Sequence, residues 1–245
     1  MHFSVYDKII GIIPSIRDNL ISFMDIQGII FDLFDTLIYI EPSILDSELD
    51  KMAAIAGVSP ETFRNNWAPK SAVHRQKYFK GQLDSPAYFT AVLTNMGKEA
   101  SPAIVNNISQ IRLAMREQVR LFDDTIPVLE QLKSEGYTLG MISNLGNLWG
   151  RFIERLPITD YFQVITLSYE IGLAKPEPEI YLTTAKQMGF TPEQCAFIDD
   201  QPDYVLAAEE VGMTGFWLNR IGKDNGHPHR QVASLEEIIA HLRLP

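Results

Sequence analysis

The sequence contains very little cysteine, and its apolar N-terminal segment is interrupted by charges. Among 245 residues there is one cysteine, Cys195. No disulfide can therefore form within the chain, which is typical of a reducing compartment. Residues 9–16 are the longest uncharged run of the N-terminal segment, far short of the ~20 residues that span a membrane. A basic segment with a small-residue cleavage site is also missing there. We therefore expect a cytoplasmic protein with no membrane partner.

Positive charge is scarce as well. The chain has 21 Lys and Arg against 31 Asp and Glu, with a net charge of −10 and a pI of about 5.0. This balance argues against nucleic acid as a partner. It does not exclude a phosphorylated substrate, since a bound Mg²⁺ can invert the local field. The length suits one α/β domain with an insertion, or two modest domains.

The first 25 residues form a segment of their own. Ile9, Ile12, Ile13, Ile16 and Leu20 follow helical spacing, which predicts an amphipathic helix over residues 1–25. We expect this helix to pack on the body of the protein. A helix that docks a partner or forms a homodimer is the alternative.

Short apolar segments alternate with helical patterns in the rest of the chain. The predicted strands cover residues 26–31, 137–142, 163–167, 195–198 and 215–218, and the predicted helices cover 125–135, 148–156, 178–188, 205–211 and 235–242. Such alternation predicts an α/β, Rossmann-like core with a parallel sheet and helices on both faces.

Residues 43–119 interrupt this alternation with a helical pattern. Ser59-Pro60 and Asp84-Ser85-Pro86 are typical helix starts, with a capping side chain followed by proline. We therefore predict an inserted all-helical cap over 43–119 and a core made of 26–42 and 120–245. Within the cap we expect four polar or aromatic side chains to be solvated or to pack inside it: Trp67, His74, Arg75 and Lys77. Trp149 and Trp217 are expected in the core.

Polar side chains lie where predicted strands end. Asp32 to Thr36, Ser143-Asn144 and Asp199-Asp200 each follow a strand, and Lys175 lies in a further loop. Parallel strands bring their carboxyl ends to one edge, so these groups can meet. A carboxylate nucleophile, further acids for Mg²⁺, a hydroxyl, an amide and a lysine together suit phosphoryl transfer.

These four blocks, in this order, resemble the haloacid dehalogenase superfamily of aspartate-nucleophile hydrolases, in the type with a helical cap after the first motif. The resemblance implies that Asp32 is the nucleophile and that Thr36 orients it. Ser143, Asn144 and Lys175 would act in catalysis and bind the phosphoryl group. Asp32, Asp199, Asp200 and the backbone carbonyl of Phe34 would hold Mg²⁺, with Asp200 more directly bound than Asp199.

The sequence departs from the phosphatases of this superfamily at Phe34. They usually carry a second aspartate there, which protonates the leaving oxygen; here the extra acid is Asp35. Because neighbouring side chains on an extended segment point in opposite directions, Asp35 does not simply replace it, and a turn-capping role is the expectation for it. A missing general acid costs about 10²–10⁴ in rate.

Three functions remain open at this point. The leading one is a Mg²⁺-dependent phosphatase for a small phosphorylated metabolite, with Phe34 facing the substrate. Phe34 and Tyr181 also resemble the metal-free 2-haloacid dehalogenases, although those enzymes lack the Asp199-Asp200 pair. Phosphonate-cleaving relatives are a variant of the first function, because they also lack the second aspartate but keep Mg²⁺. They would need a cap lysine, for which Lys51, Lys70, Lys77 and Lys80 are available. The third is a non-catalytic binding or regulatory protein with the same fold.

Overall fold

A parallel six-stranded sheet organises the chain, of which this computed structural model describes residues 26–67, 73–222 and 230–242. The predicted N-terminal helix and Lys70 lie outside these ranges. The strands of the sheet, in spatial order β5-β4-β1-β6-β7-β8, are all parallel to their neighbours. Their bounds are β1 Gly28–Phe31, β4 Thr138–Ser143, β5 Val164–Leu167, β6 Cys195–Asp199, β7 Thr214–Leu218 and β8 Arg230–Val232.

Both faces of this sheet are covered, which is why its strands have nearly continuous apolar sequences. Successive residues of β1 point to opposite faces. Ile29 and Phe31 join one buried cluster, while Ile30 joins the other. The helices of this part of the chain are α6 Thr125–Ser134, α7 Gly150–Ile153, α8 Ser168–Ile171, α9 Pro178–Met188, α10 Pro202–Glu210 and α11 Leu235–Leu242. The predicted α/β, Rossmann-like class is confirmed.

The helical insertion has a hydrophobic core of its own. It consists of α1 Pro42–Ala56, α2 Pro60–Trp67, α3 Val73–Phe79, α4 Ser85–Asn95 and α5 Pro102–Ala114, packed around buried residues such as Phe63, Phe89 and Leu93. The side chain of Ser59 accepts a hydrogen bond from the Thr62 amide at 3.1 Å, and that of Asp84 from the Ala87 amide at 2.8 Å. Both side chains therefore cap helices at the predicted starts. The division into a cap over 43–119 and a core stays a prediction.

Three short strands escaped sequence analysis. β2 (Ile38–Ile40) pairs with β3 (Val119–Leu121) as an antiparallel ribbon at the two ends of the insertion, and β8 extends the edge of the large sheet. Each has three residues, too few for a recognisable period. Among the described residues, no helix has the length and apolar character needed to cross a membrane.

Candidate active site

The three central strands of the sheet bring the predicted site residues to one edge. β1 lies between β4 and β6, and a polar residue stands at or directly after the end of each of these strands. Asp32 follows β1, and its backbone amide donates a 2.8 Å hydrogen bond to the Ile198 carbonyl. Ser143 ends β4 and Asp199 ends β6, and both side chains are buried. Strand order thus unites side chains that are more than 150 residues apart in the sequence.

Lys175 lies at the centre of this edge. Its Nζ donates hydrogen bonds to Asp32 Oδ1 at 2.6 Å and to Asp199 Oδ2 at 2.5 Å. Burial lowers the pKa of Lys175, but Asp199 and Asp32 more than offset this effect, so its pKa lies above the ordinary value. Lys175 is therefore a buried cation at neutral pH.

The backbone of Lys175 is fixed by Asn144. The Asn144 side chain donates to the Lys175 carbonyl at 2.8 Å and accepts from the Lys175 amide at 2.9 Å. Lys175 Nζ also lies 5.4 Å and 5.1 Å from the ring centroids of Phe197 and Tyr204. Tyr181 is buried beneath this group and donates to the Tyr204 carbonyl at 2.9 Å. Asn144 therefore supports the lysine loop, and it also lines a cavity between the insertion and the sheet edge.

The two carboxylates that bond Lys175 form a cluster with a third, that of Asp200. One oxygen from each of Asp32, Asp199 and Asp200 lies within 4.8 Å of the other two. Burial raises the pKa of Asp199, and the nearby Asp32 raises it further, against the opposing effect of Lys175. Three carboxylates and one ammonium leave two negative charges when all are ionised. Hard oxygen donors at this spacing fit a divalent cation such as Mg²⁺.

Asp200 is oriented by its neighbours. Its carboxylate accepts a hydrogen bond from the Gln201 side chain, and its carbonyl accepts one from Trp217 Nε1 at 3.0 Å. The Gln201 amide also donates to Asp199 Oδ1 at 2.8 Å. Backbone and indole donors therefore hold the acidic pair in place at the start of α10.

The chain after Asp32 forms a tight turn. Asp35 adopts a left-handed φ of 62° and is exposed, and its amide donates to the Ile38 carbonyl at 2.7 Å. Asp35 is not part of the acidic cluster. Thr36 is fully buried; its carbonyl accepts from Arg220 Nη2 at 2.9 Å, and its hydroxyl has no hydrogen-bond partner among the described residues. The hydroxyl therefore makes no hydrogen bond to Asp32 within the described residues, and the orienting role of Thr36 stays a prediction.

A cavity of about 230 Å³ opens beside this turn, between the insertion and the sheet edge. Phe34 lines it and packs edge-on against Trp149, with ring centroids 5.1 Å apart. The insertion contributes Trp67, Tyr78, Phe79, Tyr88 and Phe89, together with Arg75 and Arg112. We refer to this space as the aromatic cavity.

Several residues line the aromatic cavity although the sequence did not predict this location for them. Trp67 and Arg75 line it, whereas the sequence favoured packing or solvation for them, and Trp149 is buried as expected but also forms a wall. Arg112 was missed altogether, because a lone arginine in a helix has no distinctive spacing. Lys51 and Lys80 pair with Glu48 and Glu177, Lys77 is exposed, and none of these three lysines lines the aromatic cavity.

Comparison with known proteins places the chain in a family. A sequence model of the haloacid dehalogenase-like hydrolases matches residues 26–212. The chain belongs to the haloacid dehalogenase-like hydrolases. The family identifies it as a hydrolase, and the predicted family membership is confirmed.

Individual relatives of this haloacid dehalogenase-like hydrolase include phosphatases. The chain is 25% identical over 201 residues to a glyceraldehyde 3-phosphate phosphatase of Methanopyrus kandleri, which covers 80% of this chain and 84% of that protein. Together with the family match, this relative supports a phosphatase-like hydrolase.

Solved structures share the fold. A 2-haloacid dehalogenase from Pseudomonas syringae pv. Tomato DC3000 matches with a TM-score of 0.66 and 24% identity, over 89% of this chain and 98% of that one. An enzyme of the same superfamily from Bacteroides thetaiotaomicron, in complex with magnesium and inorganic phosphate, matches with a TM-score of 0.61 and 22% identity, over 82% of this chain and 98% of that one. Fold similarity alone therefore does not separate phosphatase from dehalogenase.

Proposed function

We propose that this hydrolase is a Mg²⁺-dependent phosphomonoesterase that uses Asp32 as its nucleophile. The observation that carries the proposal is the cluster of Asp32, Asp199 and Asp200 within 4.8 Å, with one lysine among them. Metal-free chemistry would leave two unbalanced negative charges in a largely buried site, and such charge is costly without a cation. This is why we favour the phosphatase over the dehalogenase.

The residues have distinct roles in this proposal. Asp32 attacks phosphorus, and Lys175 neutralises charge on the phosphoryl oxygens and orients the nucleophile. Ser143 and Asn144 bind the phosphoryl group, and Asn144 also holds the lysine loop. Phosphoryl transfer depends mainly on such positioning and charge stabilisation.

Mg²⁺ would be held by the carboxylates of Asp32, Asp199 and Asp200 and by the backbone carbonyl of Phe34. When bound, the ion supplies Lewis-acid stabilisation of the phosphoryl oxygens. Thr36 keeps a proposed orienting role that would require its buried hydroxyl to find a partner in the substrate complex. The substrate is proposed to be a small phosphorylated molecule; a homodimer and a cytoplasmic location stay predictions.

Phosphate release from a panel of phosphomonoesters, with Mg²⁺ or with EDTA, tests the proposal. We expect turnover that EDTA abolishes and that Asp32→Asn lowers by at least about 10³-fold, since a covalent nucleophile cannot be replaced by an amide. Asp123→Asn changes an exposed acid outside the cluster and should keep wild-type rates.

Two results would overturn the proposal. Halide release from 2-haloacids without metal would establish the dehalogenase. Absence of turnover on every substrate, together with no heat of Mg²⁺ binding in calorimetry, would favour a non-catalytic protein.

A further inference from the structure

Seven of the fifteen residues that line the aromatic cavity have aromatic side chains. Tyr78 and Tyr88 stack with centroids 4.5 Å apart, and Trp67 lies 5.4 Å from Tyr88 and 5.6 Å from Phe89. Phe34 and Trp149 line the side of the cavity at the turn that follows Asp32. The volume of about 230 Å³ exceeds the roughly 150 Å³ of an engineered protein cavity that accepts benzene. A substrate with a flat ring would therefore fit and would make offset or edge contacts with these walls.

The presence of Phe34 two residues after the proposed nucleophile favours the same kind of substrate on chemical grounds. Phe34 cannot donate a proton to a leaving oxygen, so the substrate must release an oxyanion of low basicity. A phenol has a pKa of about 10, as in tyrosine, whereas an alkoxide is about as basic as hydroxide, the conjugate base of water with a pKa of about 15.7. An aryl oxide therefore departs without the missing acid far more readily than an alkoxide.

Arg112 adds a charge requirement to the cavity. Its guanidinium lies 5.5 Å from the Trp67 ring centroid and 5.4 Å from that of Trp149, between the insertion and the core. Among the described residues no carboxylate forms an ion pair with Arg112, and its one hydrogen bond goes to the sulfur of Met115 at 3.1 Å. Five N–H donors with a single weak acceptor leave this cation ready for an anion.

Burial affects Arg112 in the direction that an unpaired cation should show. Burial lowers the pKa of Arg112, and Arg75 lowers it further. Arg75 also lines the cavity, where it lies 5.2 Å from the Phe79 ring centroid and donates to the Trp67 carbonyl. Two arginines therefore line the same cavity, and a ligand carboxylate bound near both would relieve their repulsion.

We infer that the aromatic cavity selects aryl phosphates that carry a carboxylate on the ring, with the ring held by the aromatic walls and the carboxylate bound by Arg112. The inference rests on the proposed function, because it names the substrate class of that site. In the first step an Asp32 oxygen bonds to phosphorus while the phosphorus–aryl oxygen bond breaks, and the aryl oxide leaves with the electron pair. Water then attacks phosphorus, the phosphorus–Asp32 bond breaks, and the proton lost by water balances the one that the aryl oxide takes up.

Three substrates separate the contributions: 4-carboxyphenyl phosphate, its neutral isostere 4-carbamoylphenyl phosphate, and glycerol 3-phosphate. We expect kcat/KM for the carboxylate to exceed that for the amide by about 10-fold or more, the scale of a charge-assisted hydrogen bond. The alkyl ester should be the slowest, because its leaving oxygen is the most basic. Arg112→Met should remove the preference, because it should lower kcat/KM for the carboxylate by about 10-fold or more relative to its effect on the amide.

Two further variants serve as controls for folding and for a general effect of removing an arginine. Arg112→Lys keeps the charge but loses the planar fork, so it should keep part of the preference even if Arg112→Met folds poorly. Arg64→Met removes an arginine of the same insertion that pairs with Asp46 and Asp50, and it should keep the full preference. Equal kcat/KM for carboxylate and amide in the wild-type enzyme, or equal losses for both in folded Arg112→Met, would overturn the inference.

A binding measurement separates this inference from the proposed function. Calorimetric titration of 4-hydroxybenzoate, the product of the carboxylate ester, into Asp32→Asn and into Asp32→Asn/Arg112→Met needs no turnover. Binding that the second substitution weakens by about 10-fold or more supports the cavity assignment even if no phosphate ester is hydrolysed. Hydrolysis of phosphate esters without binding of 4-hydroxybenzoate would refute the cavity assignment and leave the phosphomonoesterase intact.

Discussion

Lys175→Met is the most informative single substitution in this site. Lys175 has 1% of its side chain exposed, and it bonds to two carboxylates, of which Asp199 is fully buried. Methionine fills much of the same volume but leaves Asp32, Asp199 and Asp200 without a cation. Removing one partner of a buried ion pair costs about 3–5 kcal/mol, because the remaining charge is uncompensated. For a chain of this size each kcal/mol lowers Tm by about 2–4 °C, so we expect a fall of roughly 6–20 °C in EDTA.

Magnesium should reverse part of this loss. A ligand that binds only the folded state at 100 times its Kd adds about 2.7 kcal/mol of stability. Since the variant lacks the competing ammonium, Mg²⁺ should raise its Tm more than that of the wild type. Phosphatase activity should still fall by about 10²-fold or more, because an ion cannot replace the positioned lysine on the phosphoryl group.

Thermal unfolding with and without Mg²⁺ measures both effects. Lys98→Met changes an exposed lysine in the insertion and should leave Tm nearly unchanged in either buffer. If Lys175→Met in EDTA lost less than about 1 kcal/mol, the lysine would not be the main counter-charge of the cluster. A Tm that ignored Mg²⁺ in both proteins would refute the metal site.

Three further predictions concern neighbouring residues. Asp35→Asn keeps a residue that tolerates φ of 62° and should change kcat by less than about tenfold in a steady-state assay; a loss of about 10²–10⁴ would instead make Asp35 the general acid. Asp124→Asn weakens a buried pair with Arg220 whose two hydrogen bonds both measure 2.9 Å, so it should lower the free energy of unfolding by about 2–4 kcal/mol in denaturant titration. It should also reduce kcat, because Arg220 holds the Thr36 carbonyl. An unchanged kcat would show that this support is dispensable. Burial raises the pKa of Cys195 from 9.0 to about 12. Between these two pH values the thiol ionises only in the unfolded state, so the free energy of unfolding falls as pH rises. A thiol reagent at pH 9 should therefore react only after unfolding, and rapid labelling of the native protein would contradict the burial.

The sequence alone predicted the strand ends of the site because their signals are local. Asp32 follows a short apolar strand, and Asp199-Asp200 follow another, so a parallel sheet had to bring them to one edge. The helix starts at Ser59 and Asp84 were equally local, since each cap bonds an amide three residues ahead. The family match over residues 26–212 agrees with this reading of the motifs.

Other features of the site could not be predicted because they depend on packing. Asn144 bonds the backbone of Lys175, and Arg220 bonds the Thr36 carbonyl. Both contacts join loops that meet only in the folded chain. The strands β2, β3 and β8 are stabilised by their partners rather than by their own three-residue sequences.

The sequence by itself thus determined the fold class, the family and the acidic and basic groups of the candidate site, because hydrophobic period and motif spacing are properties of neighbouring residues. Only the tertiary structure decided which side chains share the aromatic cavity. Trp67, Arg112 and Trp149 come from three separate elements, and their contacts exist because the insertion packs over the sheet edge. Side chains brought together by packing leave no periodic signal in the chain, so the charge and shape of the cavity become visible only in three dimensions.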